Sequence, residues 1–291
     1  MKFALFIIFA ALLAQTSLSF AFENIELKSE FKELSFIKNG KNPSDLSGVT
    51  WSPETRSYFL ILNKLGLVYE TDENFSLKRT ITITGIGDSE EIVFLGMQES
   101  EGHNYPEVAI SEESGLISIL TITEKNFYDT AKDAHQFTIN VDNENWGNKG
   151  IEGLAYDKVN KVFYAAKEIK PMAIFKFQRP VDSSIKKVKP TLLFSDIQLK
   201  KHISDISGLF FNQETKRLMI LSHESYCLLD MQEDGKLVSK YNLSTYISKK
   251  LFSSLKSQFE GVSIGKDGDL VLTSEPYHYQ QFDLSGSSLN Y

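Results

Sequence analysis

Five segments of this chain follow one pattern, and a chain that repeats a two-stranded unit five times has few folds open to it. The segments are DLSGVTWSPETRSYFLILN, DSEEIVFLGMQESEGHNYPEVAISE, GIEGLAYDKVNKVFYAAKE, DISGLFFNQETKRLMILSHE and QFEGVSIGKDGDLVLTSE. The third position holds Ser47, Glu90, Glu152, Ser207 and Glu260; the fourth holds Gly48, Glu91, Gly153, Gly208 and Gly261. An apolar run, a polar turn and a second apolar run follow, and each segment closes on Asn63, Glu112, Glu168, Glu224 or Glu275. Strand-like runs continue beyond the units, such as LGLVYET and LKRTITI after the first and YCLLDM and KLVSKYNL after the fourth. Units of about four strands, recurring every 40–60 residues or so, predict the blades of a β-propeller. The reading is all-β: five four-stranded antiparallel blades, with a sixth, irregular blade as the alternative. The fifth unit lacks an outer strand of its own, so the strand-like stretch 25–37 is expected to supply it and close the ring, which removes exposed sheet edges. One short helix is expected, in the connector 246–258.

Residues paired across a hairpin are symmetric about its turn. The midpoint of Glu152 and Glu168 is Asn160, and that of Glu260 and Glu275 falls between Asp267 and Gly268, a hairpin-forming dipeptide. The other units centre on their turns in the same way, which places each opening residue about opposite its closing residue. Because all blades run in one direction, these positions are expected to gather at one end of the central channel. The candidate metal ligands are therefore Glu90, Glu112, Glu152, Glu168, Glu224, Glu260 and Glu275. Crowded, partly buried carboxylates repel one another, and a cation relieves that repulsion. Many hard oxygen donors without a His/Cys cluster favour Ca²⁺ over Zn²⁺. The plainer reading is that some of these glutamates cap turns or pair with Lys64, Lys149 and Lys167.

Net charge is −7 with no long basic run, so nucleic acid is not an expected partner. Residues 1–21 read as a secretory signal: Lys2, an apolar stretch over 3–14, and the small residues Ser19 and Ala21 before a cleavage point. Residues 22–291 are then a single propeller domain in the periplasm or cell envelope, membrane-anchored if the signal stays uncleaved. The single cysteine, Cys227, excludes an internal disulfide and reads as a buried strand residue. GVSIG at 261–265 matches G-x-S-x-G, but a hairpin follows Ser263 where a nucleophile elbow needs a helix. His223 and His278 read as packing or hydrogen-bonding residues near the same rim.

The segments DLSGVTW, NKGIEGLAYD, AAKE, DISGLFF, LSHES and QFEGVSI…LVLTSEPYHYQQF, in this order, resemble the SdiA-regulated (YjiK-like) family, from about residue 45 to 282. The resemblance implies a five-bladed envelope propeller with a calcium site, distantly similar to NHL-repeat propellers. Two departures stand out: Glu91 occupies the glycine position, and Tyr277 stands where the family pattern has asparagine. The expected function is a calcium-binding binding or scaffold protein for a small ligand or envelope protein. The alternative is a calcium-dependent hydrolase of the esterase, lactonase or phosphoesterase kind, with Glu152 or Glu260 as ligand and Glu168 or His223 as base.

Overall fold

The computed structural model describes residues 23–26, 31–38, 45–140, 150–168, 171–243 and 258–284. The expected signal (1–21) and, but for Gln258, the expected helix (246–258) lie outside the described residues.

Two short strands, β1 (Glu23–Glu26) and β2 (Lys32–Glu33), precede the first blade. Blade one comprises β3 (Leu46–Ser52), β4 (Ser57–Leu62), β5 (Leu67–Thr71) and β6 (Leu77–Thr84). Blade two is built from β7 (Ser89–Ser100), β8 (His103–Glu112), β9 (Leu116–Thr121) and, after β10 (Phe127–Asp129), β11 (Ala134–Ile139). Blade three contains β12 (Ile151–Asp157), β13 (Val162–Lys167), β14 (Ala173–Gln178) and, after β15 (Lys187–Val188), β16 (Thr191–Ser195). Blade four is β17 (Gly208–Asn212), β18 (Arg217–Ser222), β19 (Cys227–Met231) and β20 (Leu237–Asn242). Blade five is β21 (Phe259–Ile264), β22 (Leu270–Ser274) and β23 (His278–Phe282), completed by β2.

The middle strands are largely buried, and β4, β19 and β22 are buried along their whole length. Both of their faces carry apolar side chains because each blade is stacked between two others. In β4, Phe59 and Ile61 pack with Val108 and Ile110 of blade two, while Tyr58 and Leu60 pack with Val271 and Tyr279 of blade five. In β18, Leu218 and Ile220 join Tyr164 and Ile174 of blade three, and Met219 and Leu221 join Val262 and Leu272 of blade five. This is the two-residue period of a strand used on both sides. The fifth cluster, between blades two and three, centres on Phe137, Phe163 and Phe177. Five clusters fill five blade interfaces, and the innermost strands touch in the closed cycle β3–β7–β12–β17–β21–β3. That is a five-bladed propeller, as the repeat predicts.

Closure uses the expected N-terminal stretch in two pieces. β2 pairs antiparallel with β23 (Lys32 opposite Tyr279), supplying the outer strand that blade five lacks. β1 instead adds in parallel to β20 of blade four (Ile25 opposite Tyr241). Leu34 and Ile37, just before and within the short helix Ser35–Lys38 that follows β2, are buried at the seam between blades five and one. Two further parallel additions cover outer edges: β10 on β6 and β15 on β11. Each is lent by the following blade's connection, which blunts an edge that would otherwise offer unpaired backbone groups.

Blades two and three are also tied by a two-toothed ion pair. Arg179 donates through Nη1 and Nη2 to both oxygens of Glu107, at 2.7 and 2.6 Å. The pair is largely shielded from solvent, which preserves the strength of its charge-assisted bonds. Arg179→Ala is expected to cost roughly 1–2 kcal/mol in urea unfolding.

Candidate metal centre at the channel mouth

The opening residues lie at the start of the five innermost strands, and the structure treats them in a way the hairpin symmetry does not anticipate. The ladder slips by a residue at Glu90 (between Ser89 and Glu91), at Glu152 (between Ile151 and Gly153) and at Glu260 (between Phe259 and Gly261). A similar slip spans Ser47 and Gly48. These are β-bulges, in which the extra residue falls out of the ladder and its side chain is re-aimed. The pairing opposite is shifted in consequence: Glu112 pairs with Ser89, not with Glu90. The Glu168 N–H bonds the Gly150 carbonyl at 3.4 Å, and the Glu275 N–H bonds the Gln258 carbonyl at 2.8 Å.

The glycine beside each opening residue has a packing cause. A Cβ at Gly48 would lie 2.7 Å from Ile92 N, one at Gly153 2.9 Å from Leu209 N, one at Gly208 2.7 Å from Glu260 O, and one at Gly261 2.8 Å from Ser47 O. Each glycine thus faces the backbone of the next blade's inner strand, where no side chain fits. Glu91, the exception, is 1% exposed and folds back over Gly48, filling the space that a side chain there would need. Its N-terminal neighbour in the bulge, Glu90, remains half-buried at the mouth.

Glu90, Glu152, Glu260 and Glu275 come together. Burial pushes the Glu90 carboxyl up to about 9, with the carboxylates of Glu152, Asp88, Glu113 and Glu275 adding to the rise. Burial likewise raises Glu260 well above the usual range, reinforced by Glu275, Glu152 and Glu90. Glu275 is raised to about 7, by burial first and then by Asp45, while Lys64 pulls the other way. Ligand-capable atoms of Asp88, Glu90 and Glu113 all lie within 4.8 Å of one another.

The remaining predicted positions surround this group. Glu112 accepts the Gly87 N–H through Oε2 at 3.0 Å, and its Oε1 is buried without a hydrogen-bond partner. Burial raises its pKa, and the neighbouring Asp88 adds to that. Glu168 is half-buried just past the end of β13. Glu224 is exposed; its backbone N–H donates to Asp205 Oδ1 and Oδ2 at 3.1 and 3.2 Å. Asp205, buried, also receives the Ser222 hydroxyl. His223 accepts the Phe259 N–H at Nδ1 (3.3 Å), and burial lowers its pKa, the hydrogen-bonding role expected of it. Ser263 is buried in β21, and a single 3-10 turn followed by β22 comes after it, so no nucleophile elbow forms there. Cys227 is buried in β19, and burial pushes its thiol up to about 11.

The hairpin template missed Asp88, Glu113, Asp205 and Asp45. Their signal was present: Asp45, Asp88 and Asp205 are the first residues of their units, and Glu113 directly follows a closing glutamate.

A donor set made wholly of carboxylates, partly buried and sharing each other's field, suits a hard divalent cation. The orphaned Oε1 of Glu112 beside it is a further acceptor without a donor. The family model for SdiA-regulated proteins matches residues 23–283, and the chain belongs to that family. Among solved structures, the chain is similar to a luciferin-regenerating enzyme, at 12% identity and a TM-score of 0.52, covering 89% of this chain and 96% of that one. It is similar to regucalcin from Agrobacterium tumefaciens str. C58, described as a calcium-binding protein, at 9% identity and a TM-score of 0.50, covering 89% and 96%. It is also similar to a chain of a nidogen/laminin complex, at 10% identity and a TM-score of 0.50, covering 79% and 72%. At these identities the likeness is one of fold.

Proposed function

We propose that this member of the SdiA-regulated family is a calcium-binding propeller of the cell envelope that acts as a binding or scaffold protein. The observation that carries the reading is the convergence of Asp88, Glu90 and Glu113, with Glu152, Glu260 and Glu275 contributing to the same acidic field. Asp88, Glu90 and Glu113 would hold the ion. Glu152, Glu260 and Glu275 would complete its shell directly or through water, and Glu112, Glu168 and Glu224 would frame the mouth. Bound Ca²⁺ supplies positive charge that lets these carboxyls ionise together. The chain's own part is to hold them at the bulges of rigid inner strands, where little entropy is left to lose on binding. The same fold serves the calcium-binding regucalcin. An envelope location rests on the leader-like residues 1–21, and the partner is then a small ligand or an envelope protein.

Calorimetric titration with Ca²⁺ tests this. Binding is expected at millimolar levels or tighter, the range of extracytoplasmic sites. Glu90→Gln and Glu260→Gln should each weaken it roughly 10–100-fold, the worth of one charged ligand. No heat of binding at millimolar Ca²⁺ would overturn the reading.

A further inference from the structure

At the end of the channel opposite the acidic mouth, the inner strands enclose a cavity of about 460 Å³. That is within the size range of small-molecule sites. Its walls include Trp51, Val93, Phe94, Leu154, Phe210 and Ile264, drawn from all five blades. Trp51, Val93, Phe210 and Ile264 are only half-buried, so they leave apolar surface to the cavity. Neutral polar side chains on the walls are engaged with the backbone. Thr50 Oγ1 accepts the Phe94 N–H at 2.9 Å, and the Gln213 side chain bonds the Tyr156 carbonyl and the Lys158 N–H at 2.7 and 3.2 Å. The Glu91 carboxyl is closed off from the cavity: it folds over Gly48 and accepts the N–H groups of Ile92 and Val49. Three charged groups remain on the lining. Glu214 and Asp267 are exposed at its rim. Lys158 Nζ lies 5.1 Å from the centre of the Phe94 ring, so one cation already rests on an aromatic face here. Lys266, off the lining, bonds Glu73 at 2.9 Å and stands 3.8 Å from Asp267.

We infer that this cavity binds an organic monocation, an ammonium group on an apolar body, between the rings of Trp51 and Phe210 and the rim carboxylates of Glu214 and Asp267. Aromatic faces attract a cation through the negative face of the ring, most strongly where water is excluded. Trp51 and Phe210 offer such surface, while Phe94 is occupied by Lys158. The two rim carboxylates outnumber the one lysine on the lining, and the net charge of −7 adds a field of the same sign. A cleft with low-dielectric walls focuses that field, which draws in cations and repels anions. A bare metal ion is a poor fit, because apolar walls lack the many oxygen ligands it needs. The inference does not depend on Ca²⁺ at the opposite end.

The test is equilibrium dialysis of the protein in EDTA against phenyltrimethylammonium, tert-butylbenzene and benzenesulfonate. The first two share a shape and differ in charge; the third carries the opposite charge. The cation is expected to bind about tenfold tighter than tert-butylbenzene, and benzenesulfonate not to bind. Glu214→Gln with Asp267→Asn, both at exposed positions, should remove most of the cation's advantage. Ile264→Trp, which fills the cavity from its wall, should weaken the cation and tert-butylbenzene alike. Added Ca²⁺ should leave the cation bound, whether or not the acidic mouth takes the metal. Absence of phenyltrimethylammonium binding would overturn the inference, as would equal affinity for its uncharged isostere. So would undiminished binding by the double variant or by a folded Ile264→Trp variant. Displacement of the cation by Ca²⁺ would place it in the acidic mouth and overturn the inference as well.

Discussion

In EDTA the protein is expected to be most stable near pH 5 and to weaken as the pH rises toward 9. The cause is the acidic mouth. A carboxyl whose folded-state pKa lies above its unfolded value keeps its proton in the fold after the unfolded chain has released it. Its favourable contribution is complete below about 4.5 and disappears as the pH climbs through the folded value. For Glu275 that window runs from 4.5 to about 7, and for Glu90 from 4.5 to about 9. Each group removes up to about 1.4 kcal/mol per pH unit inside its window. The acid side is limited by carboxyls of the opposite kind. Burial works against ionised Glu70, but bonds from Arg79, Ser57 and Lys78 outweigh it and lower its pKa. Glu70's contribution is therefore present above 4.5 and is lost as the pH falls through its folded value. Saturating Ca²⁺ should abolish the alkaline decline. At one hundred times Kd a ligand adds about 2.7 kcal/mol, which for a domain of this size raises Tm by roughly 5–10 °C. Thermal melts at pH 5, 7 and 9, with EDTA or Ca²⁺, read both effects. Glu90→Gln should flatten the EDTA profile, and a flat wild-type profile in EDTA would contradict the account.

Gly48→Ala is expected to destabilise the fold by about 3 kcal/mol, the upper part of the range for overpacked cores. The added Cβ would lie 2.7 Å from Ile92 N and 2.8 Å from Glu91 Cα. Both are backbone atoms of the next blade's inner strand, so no rotamer change relieves the contact. A displaced β7 would also shift the Glu90 bulge, so Ca²⁺ affinity should fall with stability. Gly102→Ala is the control: its φ is +79°, which an alanine tolerates poorly, but nothing lies within 4 Å of the added atom. That substitution should cost only about 1 kcal/mol. Urea unfolding of the two variants separates close blade packing from backbone strain. Equal losses would show that the inner strands are not wedged at the glycines.

The repeat was legible because Phe59, Ile61, Leu218, Ile220 and their counterparts are packed on both faces, which writes long apolar runs into the sequence. The opening glycines were legible as a pattern but not as a cause, since their need arises only when two blades meet. The bulges at Glu90, Glu152 and Glu260 left no mark, because one extra residue changes neither composition nor period. Hairpin symmetry therefore found the right end of the channel but set the pairs out of register. Asp88 and Glu113 lay one or two residues outside the template and were missed, although they complete the tightest cluster among the described residues. The N-terminal stretch was foreseen as a closing strand. Its division between blades four and five was not, since β1 and β2 owe their partners to the closed ring.

The most direct test of the central claim is the number of protons released when Ca²⁺ binds at pH 7, from calorimetry in buffers of different ionisation enthalpy. With Glu90 raised to about 9 and Glu275 to about 7, the mouth is partly protonated before the ion arrives. An ion that needs those carboxylates must displace their protons. Release of about one proton or more per Ca²⁺, reduced in Glu90→Gln, is the expected result. Ca²⁺ binding without proton release would place the ion away from the acidic mouth and contradict the account.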